Sequence, residues 1–162
     1  MSTPDDVAIR RPADHELEDV LRLRWLWNTV DRDQSPAMTE QEFVSGGADW
    51  ARAHAQTHIP HAAFAADGAI IGMAWLALTP RVASTTGFDR VSGDLQSCYV
   101  RPAHRGHGIG GRLVRAVIAT AHARGAEHVT VHTSADSPAL YLRNGFRQSG
   151  RLLFADAAQT ES

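Results

Sequence analysis

The sequence predicts one mixed α/β domain over its 162 residues, and three features carry that expectation. Asp67-Gly68 lies between two apolar runs, 61–66 and 69–78, a strong short signal for an antiparallel hairpin. A strand-like run at 94–100 is stopped by Pro102 and opens through Gly106, Gly108, Gly110 and Gly111 onto a helical pattern at 112–124. The order strand, helices, hairpin, strand, crossover helix, strand, helix, strand gives a mixed sheet and not a repeating βα series.

Taken in order, residues 7–11 read as a first strand stopped by Pro12, and Asp14 as the cap of a helix over about 16–30. That helix carries two apolar stripes, Leu17, Val20, Leu21, Trp25 and Leu23, Leu26, Trp27, Val30, so it packs on two sides or turns Trp25 or Trp27 toward a cleft. After a polar break at 31–36, Thr39 and Glu42 form a capping box that opens a helix to about 56, with Gly46-Gly47 expected to interrupt it. Beyond the hairpin, 79–93 reads as a polar loop able to fold over a ligand. Gly125 closes the helix that follows the glycine loop. The segment 127–133 alternates as a strand, Ser137-Pro138 starts a short helix over 139–143, and Asn144-Gly145 ends it. Residues 146–154 read as a last strand, and 155–162 as a frayed tail.

Composition excludes several classes. A net charge of −2 gives no reason to expect nucleic acid or an anionic membrane as partner. No apolar run approaches the roughly 20 residues needed to span a bilayer. The first residues are polar and acidic, unlike a secretory signal, and the lone Cys98 suits a reducing cytoplasm. A cytoplasmic protein is the expectation.

The glycine loop at a helix start is an anion site, because its amides converge without Cβ interference and the helix adds unsatisfied donors and a positive dipole end. Three anions compete for it. Gly106, Gly108 and Gly111 satisfy G-x-G-x-x-G with Glu127 about 20 residues on, but a dinucleotide fingerprint belongs after the first strand of a long βαβ series. A P-loop requires Gly-Lys-Ser/Thr at the helix start, and this segment has no lysine. The third reading uses more residues. Arg105-Gly106-His107-Gly108-Ile109-Gly110 is R-x-x-G-x-G, preceded by Val100-x-Pro102 and followed about 30 residues later by Tyr141-Leu142-Arg143-Asn144-Gly145-Phe146.

With these motifs the chain resembles the GNAT superfamily of acetyl-CoA-dependent N-acetyltransferases, specifically from about 95 to 154 and more loosely throughout. The resemblance implies a GNAT fold: a central, mostly antiparallel sheet of six to seven strands flanked by helices and splayed at the cofactor-binding strands. It implies one domain over 1–162, with acceptor-side elements at about 7–92 and an acetyl-CoA-binding core at about 93–154. It places the coenzyme A pyrophosphate on backbone N–H groups from Arg105 through Gly106, His107, Gly108, Ile109, Gly110 and Gly111, and the pantetheine arm along Cys98, Tyr99 and Val100. One N–H freed by a strand bulge, at Cys98 or Tyr99, would polarise the thioester carbonyl. Tyr141 matches the tyrosine that protonates the departing thiolate. Ser134 stands where many members carry an asparagine on the pantetheine arm, and Ser137 where a small alanine is common; both depart from the pattern.

The general base is not legible; Asp94, on the strand feeding the site, is the side-chain candidate, and many members relay the proton through water instead. No metal is implied. The expected reaction moves acetyl from acetyl-CoA to a primary amine of a small-molecule acceptor in a ternary complex, and a non-catalytic acyl-CoA-binding module is the alternative. Dimers are common in the family, so a homodimer is compatible with the resemblance. Trp25, Trp27 and Trp50 hint at an aromatic component of the acceptor.

Other candidates have plainer readings. Cys98 invites an acyl-cysteine mechanism, but a thiol on an apolar strand reads as a small buried residue. His54, His58 and His61 have spacing for a metal without an accompanying ligand framework, so they read as solvated. His128 and His132 share a strand face but lie about 13 Å apart, too far for one ion. Arg22 and Arg24 invite an acidic substrate, with a snorkelling surface role as the plainer reading.

Overall fold

In the computed structural model, which describes residues 6–135 and 137–157, five strands lie in one sheet in the order of the chain. β1 (Ala8–Arg10), β2 (His58–Phe64), β3 (Ile70–Arg81) and β4 (Arg90–Val100) pair antiparallel, and β5 (Ala126–Val131) joins β4 in parallel. The Asp67-Gly68 turn joins β2 to β3, and Gly68 at φ +85° adopts the left-handed conformation such a turn needs. Helices α1 (Leu17–Leu26) and α2 (Glu40–Ala53) cover one face; α3 (Ile109–Ala123) and the short α4 (Pro138–Leu142) cover the other.

Alternation along the strands, shifted by one residue where Ile71 of β3 and Gln96 of β4 bulge, builds a core on each face. Leu76, Leu95 and Ile71 meet Leu113, Val114 and Val117 of α3, while Met73, Trp75 and Tyr99 meet Val20, Leu23 and Val44 of α1 and α2. Leu113 is fully buried, and Gly72 leaves it room: a Cβ there would stand 3.2 Å from Leu113 Cδ1. Leu113→Ala is therefore expected to cost about 2–5 kcal/mol in urea unfolding, because a cavity remains over a rigid strand. A cost within error of zero would place Leu113 outside the cooperative core.

Several elements differ from the sequence expectation. α2 is continuous through Gly46-Gly47, because Gly47 is the contact with α1: a Cβ there would lie 2.7 Å from Leu21 Cδ1. Asp14 caps no α-helix; it accepts from Arg52 Nε at 2.7 Å, while Glu16 accepts from the Ala13 N–H at 2.7 Å. α1 widens into a π-helical turn at Trp27–Asp31. Both ends of the expected loop at 79–93 are strand, since Thr79, Pro80 and Arg81 pair with Ser92, Val91 and Arg90. Only 82–89 loops out, with Val82 and Phe88 exposed at the tip.

The sheet has five strands, not six to seven. The expected strand at 146–154 is absent because Ser149 turns the chain at its middle: its Oγ accepts from the Arg151 N–H at 3.2 Å. A serine hydroxyl bonded to nearby backbone offers an alternative to a ladder. Phe146 packs on the core, whereas Leu152, Leu153 and Phe154 stay exposed. Residues 158–162 of the expected tail lie outside the described residues.

Candidate active site

The site begins where the sheet loses its regularity. Trp75 pairs with Ser97 but Leu76 with Leu95, so Gln96 is an extra residue, a bulge in β4. The β4–β5 ladder ends at the same place: its last pair is Leu95 with Val131, and from Gln96 onward β4 has a free edge. This is the splay expected from the sequence, now placed to the residue. Trp75 Nε1 and Ser97 Oγ, on cross-strand neighbours beside the bulge, are buried without hydrogen-bond partners among the described residues.

The free edge has a definite polarity. Arg101 N–H donates to Ile71 O on β3 at 2.8 Å. Strand alternation then turns the backbone groups of Val100 and Cys98 the other way, toward the splay, and those of Tyr99 toward β3. Val100 O agrees with this, since it accepts from Arg105 Nε at 2.8 Å. Of the two candidates for a free donor, Cys98 faces the gap and Tyr99 does not.

At the end of β4 the glycine loop folds as an open cradle of backbone amides. Gly106 (φ +82°) and Gly108 (φ +79°) are left-handed, and a Cβ on either would meet no heavy atom within 4 Å, so the space above the loop is open. The first helical bond of α3 is Arg112 N–H to Gly108 O at 3.1 Å. None of the six N–H groups from Gly106 to Gly111 has an acceptor among the described residues. Free amides at a helix N-terminus suit a diphosphate. Ile109 turns its side chain into the core. Gly111 also serves helix packing, since a Cβ there would stand 2.8 Å from Asn144 Oδ1 and its absence lets the end of α4 seat on α3. His107 is exposed.

Tyr141 of α4 closes the splay from the α3 side. It is 8% exposed, its ring meets Phe146 edge-on at 5.6 Å, and its hydroxyl has no hydrogen-bond partner among the described residues. Burial and the neighbouring Cys98 push its pKa upward, so the phenol stays protonated. Burial pushes the Cys98 thiol up to about 12, and its Sγ rests 3.9 Å from Gly110 O. A thiol held protonated is a poor nucleophile, which disfavours an acyl-cysteine route.

The remaining sequence candidates separate. Asp94 sits two residues before the bulge, and its Oδ1 accepts from Thr130 Oγ1 of β5 at 3.0 Å. Ser134 Oγ donates to Ser137 Oγ at 3.1 Å, which ties the turn before α4. His61 is buried against Thr120 of α3, whereas His54 stacks on Trp50 at 4.1 Å, so the three histidines are not one cluster. Trp25 packs on Phe43 at 5.7 Å. Arg105 also reaches across to Asp31 at 2.8 Å, a link between the loop and the π-helical turn that no local sequence signal marks.

The profile of the Acetyltransferase (GNAT) family matches residues 17–146, most of the chain. The chain belongs to the GNAT acetyltransferase family. Solved structures repeat the architecture of this GNAT protein: an acetyltransferase from Trypanosoma brucei has 24% identity and a TM-score of 0.70, covering 93% of this chain and 99% of its own. Glucosamine-6-phosphate N-acetyltransferase from Arabidopsis thaliana has 14% identity and a TM-score of 0.71, covering 94% and 99%. A predicted acetyltransferase with acetyl-CoA from Clostridium acetobutylicum has 18% identity and a TM-score of 0.69, covering 93% and 96%. At these identities the likeness speaks for the fold alone. No curated protein sequence matches the chain. Among the described residues of this GNAT protein, no helix is long and apolar enough to cross a membrane.

Proposed function

We propose that this GNAT protein transfers an acetyl group from acetyl-CoA to a primary amine of a small molecule, with both substrates bound at once. The observation that carries the reading is a line of three features: six free amides at Gly106–Gly111, the unpaired β4 edge at Cys98 and Val100, and the Tyr141 hydroxyl beside Cys98. The open cradle fits a diphosphate and the free edge fits the amide-bearing pantetheine arm, which pairs like an added strand. The cosubstrate supplies an activated thioester.

The chain's own groups then do four things. Gly106 to Gly111 bind the diphosphate. The Cys98 N–H donates to the carbonyl oxygen as negative charge develops there, a contribution typically of about 3 kcal/mol. Tyr141 gives a proton to the leaving sulfur. Asp94, anchored by Thr130, takes the amine proton directly or through water. In balance, the amine nitrogen forms a bond to the acyl carbon, the C–S bond breaks, and one proton passes from nitrogen to solvent or base while sulfur gains one.

The test is release of free thiol from acetyl-CoA across a panel of primary amines. The chain contains no lysine, so acetylation of its own lysines cannot contribute to the signal. Amine-dependent release supports the reading; tight acetyl-CoA binding with no release for any amine returns the chain to a binding module. Gly108→Ala is expected to raise KM for acetyl-CoA about tenfold, because a left-handed φ costs a side chain roughly 1–2 kcal/mol. An unchanged KM would remove the loop from cosubstrate binding.

A further inference from the structure

Two arginines that look alike in the sequence behave differently in the fold. Arg22 is paired, with Asp19 at 2.7 Å and Glu18 at 3.9 Å. The Arg24 guanidinium has neither an ion pair nor a hydrogen bond among the described residues, and the same is true of the Arg32 guanidinium. Both instead stand against Trp27, with their Cζ atoms 5.3 Å and 4.8 Å from the ring centroid. The π-helical turn makes this possible: Arg32 N–H reaches back five residues to Trp27 O at 3.0 Å, carrying Arg32 onto the indole. π-helical turns often mark functional sites.

Two cations on one half-buried ring, with no carboxylate paired to either among the described residues, repel each other. Burial lowers the pKa of Arg24, and Arg32 lowers it further. Asp31, the nearest acid in the turn, is already bound to Arg105. Such an arrangement gains stability from an incoming anion, since guanidinium groups present planar forks to carboxylate and phosphate. That same Asp31–Arg105 contact sets the cluster beside the glycine loop. The cluster lies on the α1 face, where Trp27 packs on the core that holds Val20, Leu23 and Tyr99, across the sheet from the Tyr141 core. The free amides at Gly106–Gly111 already provide for the diphosphate of the cosubstrate.

We propose that Arg24 and Arg32, arrayed on Trp27, hold a carboxylate or phosphate of the acyl acceptor and so select acidic amines. This deepens the acetyl-transfer reading and rests on it. The shared chemistry is an anion on a guanidinium pair, and its rival source is a phosphate of the coenzyme.

The experiment measures thiol release with matched amines, each neutral amine beside a counterpart bearing a carboxylate or phosphate, for the full chain and for Arg24→Gln, Arg32→Gln and the double variant. The parent is expected to favour the acidic member at least tenfold in kcat/KM. The double variant should lose that preference through KM, leaving neutral amines and the KM for acetyl-CoA within about twofold. Arg24→Lys should restore only part of it, because an ammonium lacks the fork. Equal use of acidic and neutral amines by the parent overturns the proposal and leaves acetyl transfer standing. A raised KM for acetyl-CoA overturns it in favour of the coenzyme.

Inorganic phosphate is the second probe, read as a rise in Tm with acetyl-CoA present. A rise in the parent that the double variant lacks supports the anion site even where no amine is turned over, the result that sinks acetyl transfer instead. No rise in either protein, with no charge preference, ends the proposal. Arg32 is exposed, so Arg32→Gln keeps the test independent of folding.

Discussion

Tyr141→Phe is expected to lower kcat by about 100-fold or more, with KM for acetyl-CoA changed only a few-fold. General acid assistance typically contributes 10²–10⁴-fold, and the variant removes one oxygen from a ring whose packing on Phe146 is otherwise kept. The hydroxyl is suited to donate: burial raises its pKa, so it carries its proton throughout the neutral range. Because the pKa is raised, loss of rate from ionising Tyr141 belongs to strongly alkaline pH. Thiol-release kinetics give kcat, and a thermal melt shows whether the fold is intact. A kcat equal to the parent's would remove Tyr141 from the chemistry and leave it as a core residue of α4.

The second large effect concerns stability. His61 is 4% exposed, its Nε2 lies 2.7 Å from Thr120 Oγ1, and its Nδ1 is buried without a hydrogen-bond partner among the described residues. Burial, with Arg11 adding to it, lowers its pKa to about 4. The unfolded imidazole titrates near 6.5. Between those values the unfolded chain binds a proton that the folded one refuses, so the contribution is fully present above about pH 6.5 and is lost as pH falls toward 4. The expected loss from this one group is about 3 kcal/mol by pH 4. Urea unfolding from pH 4.5 to 7.5 measures it, with His61→Gln as the reference. The variant starts less stable but should show a flatter pH dependence, and equal slopes for the two proteins would contradict the assignment.

Both predictions show where local pattern suffices and where it does not. The hairpin at Asp67-Gly68 and the box of Thr39 and Glu42 are legible because backbone geometry at a turn or helix start is a local matter. The glycine loop is legible for the same reason: left-handed positions at Gly106 and Gly108 exclude other residues at little cost only if glycine is written there. The continuity of α2 through Gly46-Gly47 is not legible, because the reason for Gly47 is a leucine on α1. Gly111 misleads in the same way: local reading assigns it to the anion, while the fold also needs it against Asn144. The strand pairs of 79–81 with 90–92 escape a periodicity argument because Thr79, Pro80 and Arg81 are exposed and Arg90, Val91 and Ser92 only half-buried, and the segment 146–154 invites one although Ser149 breaks it.

By itself the sequence determined the family, the glycine loop at the start of α3, and the tyrosine spaced about 30 residues beyond it, since motif spacing and left-handed backbone need no knowledge of distant contacts. Only the tertiary structure decided that β4 bulges at Gln96, that Cys98 and not Tyr99 faces the gap, that five strands and not more form the sheet, and that Arg24 lacks the partner Arg22 has. The physical reason is common to all four. Register, strand edge and charge pairing are relations between segments far apart in the chain, and their energies exist only once the segments meet.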